Sequence, residues 1–252
     1  MIRAGRASRK FLSAIVSGRS ELALRICSAL MLVPLAVAAA YVGGVAFALF
    51  WCAAAAVTLW EWILLVAASH GRAAMLAPAG RRIWLAAGIP YSAAIAMSPI
   101  VLRRDPGYGF LAIMFLFAVV WGTDTAAYFI GRAIGGARLV PRVSPNKTWS
   151  GALAGVAAAA LLGVIVARAG GVMGLPAVAA LAALLSIVAQ GGDLFESYLK
   201  RKFGAKDSGR LIPGHGGLMD RLDGFVAAGA LAALIGVVRG GLETPGRGLL
   251  IW

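Results

Sequence analysis

Seven apolar runs, at roughly 22–42, 45–68, 83–102, 108–131, 150–167, 175–195 and 223–242, are each long enough for a helix to cross a hydrocarbon core about 30 Å thick. Inside lipid the backbone has no water to bond, so a run of this length satisfies its own N–H and C=O groups by coiling into a helix. The expected architecture is an all-α polytopic membrane bundle of about seven to nine transmembrane helices, forming a single domain over 1–252. Composition points the same way: 61% of the 252 residues are hydrophobic and 13% are charged. That is more apolar side chain than a soluble core of this length can hide.

A net charge of +14 would suggest a nucleic-acid partner in a soluble chain. Here the basic residues fall between the apolar runs, with no basic face interleaved with aromatics, so no nucleic-acid partner is expected. Numbering the spans from an inside N-terminus leaves Arg103, Arg104, Arg168, Arg239 and Arg247 outside and every other Lys and Arg inside. A bias of this size fixes the orientation by the positive-inside rule, with the basic segment 1–21 and both long polar loops in the cytoplasm. The first apolar run follows a basic stretch, as a cleaved signal would. A second run begins after only Gly43 and Gly44, which favours a retained membrane hairpin. Cys27 and Cys52 lie within apolar stretches and read as small buried hydrophobes.

Against this background the acids stand out. Five of the ten acidic residues, Asp193, Glu196, Asp207, Asp220 and Asp223, fall within or just before the stretch 197–223. Charge gathered at the end of an apolar span is costly to place near a bilayer and marks a functional site. At helical spacing Asp193 projects with Glu196 or Ser197, and Asp220 with Asp223. Hard carboxylate oxygens at this density suit a divalent cation of the Mg²⁺ kind, which fills its remaining positions with water and phosphate oxygens. Lys200, Arg201, Lys206, Arg210 and Arg221 would meet phosphate charge, and Gly216 and Gly217 beside His215 would let backbone approach a ligand closely.

Two smaller constellations precede it. Asp124 and Tyr128 are four apart near the end of the fourth span and share a helix face. Ser144, Pro145, Asn146, Lys147 and Thr148 sit just before a helix that starts near Ser150, where free N–H groups, a lysine and hydroxyls make a phosphate cradle. No G-x-x-x-x-G-K-[ST] loop is present, so this is not the P-loop solution.

The stretch S-Y-L-K-R-x-x-x-x-K-D-x-G-x-x-I-P-x-H-G-G-L-x-D-R-L-D resembles, over its full length, the signature of the phosphatidate cytidylyltransferase (CDP-diglyceride synthase) family. The segments G-D-L-F-E-S, S-P-N-K-T and D-T-A-A-Y resemble that family's other recurrent motifs in the same order. One departure is visible: Ser150 stands where the family usually has a glutamate after K-T-W. The resemblance implies transfer of CMP from CTP to phosphatidic acid, giving CDP-diacylglycerol and pyrophosphate in phospholipid biosynthesis at the bacterial inner membrane. It also implies a Mg²⁺ cofactor, with a second cation left open, and a homodimer. By similarity Asp193, Asp220 and Asp223 are the metal ligands, with Lys206, Asp207, His215 and Arg221 beside them in the catalytic set. Asp124, Tyr128, Ser144, Lys147, Thr148, Ser197, Lys200, Arg201, Arg210, Gly216 and Gly217 are then the substrate-binding positions.

The residues alone leave two rivals open. A CTP-dependent lipid kinase of the dolichol or phytol kinase type shares the membrane setting and the metal. A transporter also places acids and bases at membrane depth, though charge gathered at one end and the lack of repeats count against it.

Overall fold

The computed structural model describes residues 31–68, 78–205, 207–209 and 216–252. Among the described residues, eight helices and one hairpin follow in chain order: α1 (Met31–Val42), α2 (Gly44–Ala67), α3 (Pro78–Arg103), α4 (Gly109–Ile134), β1 (Arg138–Val140), β2 (Ser144–Thr148), α5 (Trp149–Ala169), α6 (Leu175–Lys202), α7 (Met219–Gly240) and α8 (Pro245–Leu250). Among the described residues α2 to α7 are six helices long and apolar enough to cross a membrane. Helix α1 is the described part of the first apolar run, whose earlier residues lie outside the description. The chain is an all-α polytopic membrane bundle, as its apolar runs predict.

Each break between spans has a local cause. Gly43, at φ 67°, takes a left-handed conformation that costs other residues energy and turns α1 into α2. The Arg103 guanidinium reaches back to that turn, its Nε donating to the Ala40 carbonyl at 2.8 Å and so satisfying a helix-end acceptor. Asp105, fully buried, holds the turn into α4 by accepting from the N–H groups of Gly107 and Tyr108 at 2.9 and 2.8 Å. Its other oxygen accepts from Arg247 N at 2.7 Å, tying α8 to the same end of the bundle. The α5–α6 turn lies there too, since a Cβ on Gly174 would sit 3.2 Å from the Trp252 carbonyl.

Packing between spans relies on small residues. Along α5, Gly151, Gly155, Ala159, Gly163 and Ala167 recur every fourth position and are buried. They form a flat stripe that lets backbones approach closely, the main source of helix association where lipid tails are as apolar as the side chains. A Cβ on Gly151 would fall 2.6 Å from the Ala127 carbonyl, and one on Gly155 3.0 Å from the Thr123 carbonyl, so α5 lies directly on α4. Large side chains fill the centre: Trp51 of α2 stacks on Phe225 of α7 at 4.8 Å between ring centroids, beside Phe117 of α4.

A second cluster, Trp62, Leu65, Val66, Leu199, Phe203 and Met219, joins α2, α6 and the start of α7 at the opposite end from α8. It forms a fixed floor under the polar residues described next. The hairpin also lies at this end, with Arg138 opposite Thr148 and Val140 opposite Ser144. The sequence predicts only a polar turn before a helix here. The structure gives the segment 144–148 a strand partner, which no hydrophobic periodicity announces in so short and polar a stretch.

Candidate functional site

The last three turns of α6 carry Asp193, Glu196, Ser197 and Lys200 at spacings of three and four, so all project from one face. The first turn of α7 carries Asp220, and Asp223 follows three residues later. What brings the two helices together is Gly192: a Cβ there would lie 2.5 Å from the Asp223 carbonyl. Carboxylates from separate spans therefore converge. One oxygen from each of Asp193, Glu196 and Asp223 lies within 4.8 Å of the other two.

Charge around this triad is balanced from two sides. Lys147 of β2 pairs with Asp193 at the open edge, with both side chains about a quarter exposed. On the inner side Lys200 Nζ lies 2.6 Å from Glu196 Oε2 and 2.6 Å from Asp220 Oδ1. Glu196 is completely buried, and among the described residues its Oε1 has no hydrogen-bond partner. A buried carboxylate oxygen without a donor is costly, and a hard cation is the partner that its chemistry suits. The triad therefore fits a divalent ion such as Mg²⁺.

Asp220 is used differently. Its Oδ2 accepts from Ser208 N at 3.0 Å, Ser208 Oγ at 2.9 Å and Gly217 N at 2.8 Å, while Oδ1 meets Lys200. It ties both described flanks of the loop between α6 and α7 to the bundle. Gly216 has φ 82°, and a Cβ there would stand 2.6 Å from Asp220 Oδ2, so both conformation and space call for glycine. Exposed Asp207 lies alongside, its Cβ 3.5 Å from that same position. Of the predicted residues in this loop, Lys206, Arg210 and His215 lie outside the described residues.

The remaining predicted positions surround this centre at varying depth. Ser197 Oγ stands 3.5 Å from Asp193 Oδ1, the outer limit of a hydrogen bond. Asp124 is exposed on α4, where the charges of Asp193, Lys147 and Arg221 act on it. Tyr128 shares its helix but is exposed, its hydroxyl accepting from the Arg132 guanidinium at 3.1 Å. Arg201 is exposed at the end of α6. Ser144 opens β2 and Thr148 caps α5, its Oγ1 accepting from Gly151 N at 3.2 Å. Ser150 donates to the Gly135 carbonyl at 2.5 Å and bonds Thr148 Oγ1 at 3.0 Å, fastening the end of α4 to the start of α5.

Sequence reasoning misses Glu61. Fully buried in α2, it accepts from Leu218 N at 2.9 Å and Met219 N at 2.7 Å, so its two oxygens cap the start of α7 from another helix. Free N–H groups and the positive end of the helix dipole favour a carboxylate there. The available signal was a lone acid in the middle of an apolar run, L-W-E-W-I, which would mark a buried polar role without naming its partner.

Residues 84–238 match the profile of the cytidylyltransferase family. A protein from Brucella suis biovar 1 (strain 1330) named phosphatidate cytidylyltransferase is 57% identical over 164 residues, covering 65% of this chain and 61% of that protein. One of the same name from Brucella abortus biovar 1 (strain 9-941) is 59% identical over 157 residues, covering 62% and 58%. Another, from Haemophilus influenzae (strain ATCC 51907 / DSM 11121 / KW20 / Rd), is 38% identical over 133 residues, covering 50% and 45%. The chain thus matches less than two thirds of the length of each of these relatives.

Proposed function

Because the chain belongs to the cytidylyltransferase family, we propose that it transfers CMP from CTP to phosphatidic acid, forming CDP-diacylglycerol and pyrophosphate. The observation that carries this reading is the meeting of Asp193, Glu196 and Asp223 at one end of a membrane bundle, flanked by Lys147 and Lys200. The names of the relatives support the choice of substrates.

In the reaction an oxygen of the lipid phosphate forms a bond to the α-phosphorus of CTP, and the bond from that phosphorus to the bridging oxygen of pyrophosphate breaks. Both partners are anions, so the site's task is to suppress their repulsion and to receive charge on the leaving group. Asp193, Glu196 and Asp223 would hold a Mg²⁺ ion, with Asp220 adjoining through Lys200. Mg²⁺ bound there supplies positive charge to the phosphate oxygens and a template that orients them. Lys147 at the open edge is suited to a phosphate that displaces Asp193 from its ammonium, and Arg201 and Arg221 lie along the same rim of α6 and α7. Lys206, Arg210 and His215 are assigned to phosphate contacts with Gly216 and Gly217 on similarity to the family signature. Asp124, Tyr128, Ser144, Thr148 and Ser197 are assigned to the substrates on the same ground. A lipid phosphate is already ionised at neutral pH, so the chemistry asks for no dedicated general base.

The location follows from the partners. CTP comes from the cytosol and phosphatidic acid stays in its leaflet, so the hairpin end of the bundle faces the cytoplasm, in the inner membrane of a bacterium; a single domain and a homodimer are assigned on similarity to the family alone. Purified protein in detergent should form CDP-diacylglycerol from CTP and phosphatidic acid with Mg²⁺ and lose that activity on chelation. With CTP carrying separate labels on the α- and γ-phosphates, only the α-label should enter lipid. A γ-label in lipid would instead show a kinase.

A further inference from the structure

Where α3, α6 and α7 meet, an open-sided cavity of about 480 Å³ on the surface of the bundle is lined by Tyr91, Val188, exposed Gly191, Phe195 and Val226, with Asp223 in its wall. It is apolar over most of its surface, yet it runs directly to the carboxylate triad through Asp223. A space of this size is ordinary for a small-molecule or lipid seat, which combines apolar walls with a few placed polar groups. One such group is already there. The Tyr91 hydroxyl is buried and, among the described residues, has no hydrogen-bond partner. The ring is held in place by Trp62, 5.0 Å away between centroids, which is itself anchored by a 2.7 Å bond from its Nε1 to the Trp84 carbonyl.

Gly191 adds a second, independent observation. Its neighbour Gly192 must be glycine because α7 lies against it. A Cβ on Gly191 would meet nothing within 4 Å, so packing places no demand on that position. The missing side chain keeps the cavity open.

We infer that this cavity seats the glycerol-ester region and first acyl carbons of the lipid acceptor, and that the Tyr91 hydroxyl donates a hydrogen bond to one of that lipid's oxygens. A buried donor is costly to leave unmade and gains most when a ligand supplies its acceptor. The apolar walls select a diacyl lipid over a soluble phosphate, and Asp223 at the boundary sets the depth at which the lipid phosphate meets the reacting nucleotide. Tyr91 is thus a specificity residue for the acceptor. This rests on the reading of the triad as a cytidylyltransferase site.

Two variants of the full chain test it, Tyr91→Phe and Gly191→Leu, assayed in detergent with dioleoyl phosphatidic acid and CTP. Tyr91→Phe keeps the ring and should raise KM for phosphatidic acid roughly fivefold, leaving KM for CTP and the melting temperature unchanged. Gly191→Leu should raise the same KM further, and a dihexanoyl acceptor should relieve that defect in part. Equal kinetics in both variants, or a change in KM for CTP alone, would overturn the inference. So would a melting-temperature loss in Tyr91→Phe with unchanged KM. Binding of phosphatidic acid without CTP, read by native mass spectrometry against glycerol 3-phosphate as competitor, separates the two readings. If wild-type protein binds the diacyl lipid better than Tyr91→Phe does but transfers no CMP, the cavity assignment stands and the transfer reaction falls.

Discussion

The acids of this site do different work because their surroundings differ by a few ångströms. Asp193, Glu196 and Asp223 face one another, while the oxygens of Asp220 are taken up by Lys200, Ser208 and Gly217. Asp220→Asn exchanges one acceptor oxygen for an NH₂ group facing donors, so CMP transfer should fall by about 100-fold or more while expression and membrane insertion stay normal. Turnover within threefold of wild type would remove Asp220 from the site. Lys200 is the shared counter-charge of two inward carboxylates. Lys200→Met should lower the unfolding free energy by about 3–5 kcal/mol, because it strands Glu196 and Asp220 without their cation. Adding Glu196→Gln to that variant should restore part of the loss in a thermal melt, which a purely steric defect would not allow. The predicted spacing brought Asp193 and Glu196 to one face correctly because i and i+3 are fixed by the helix. That Asp223 and not Asp220 meets them was settled by how α7 is rotated against α6, and intrahelical spacing is silent on rotation.

Helix contacts in this bundle are set where side chains are missing. Gly192→Leu should push α6 away from Asp223, since even its Cβ would lie 2.5 Å from that carbonyl and 2.9 Å from the Ala227 Cβ. Overpacking of this kind costs about 1–3 kcal/mol. Activity should be lost with helical content unchanged by circular dichroism, and full activity would show that the α6–α7 approach is unimportant. Glu61 acts between elements in another way, holding the start of α7 from within α2. Glu61→Gln leaves one backbone N–H facing an amide NH₂, at a cost of about 1–3 kcal/mol. It should lower kcat more than it changes KM for CTP, because α7 carries Asp220 and Asp223. The stripe on α5 was present in the sequence as small residues every fourth position. Its partner could not be read from it, since a flat helix face fits any neighbour that is equally flat.

At the scale of the whole molecule the two ends of the bundle are chemically distinct. One gathers the hairpin, the acids and Lys200, and the other gathers Arg103, Asp105 and α8. In a chain with Cys27 and Cys52 replaced by serine, Arg142→Cys on the hairpin should react with an impermeant maleimide only after cell lysis. Arg104→Cys should react in intact cells, and the reverse pattern would invert the proposed orientation. The sequence by itself determined the helices, their order and the end of the bundle at which charge collects, because span length and the cost of burying charge in lipid act locally along the chain. The tertiary structure alone decided which carboxylates share a cation-sized space, that Glu61 holds α7 and that Tyr91 stands beside an apolar cavity. These depend on the rotation and close approach of helices far apart in the chain, set by packing of small against large residues, for which no local pattern codes.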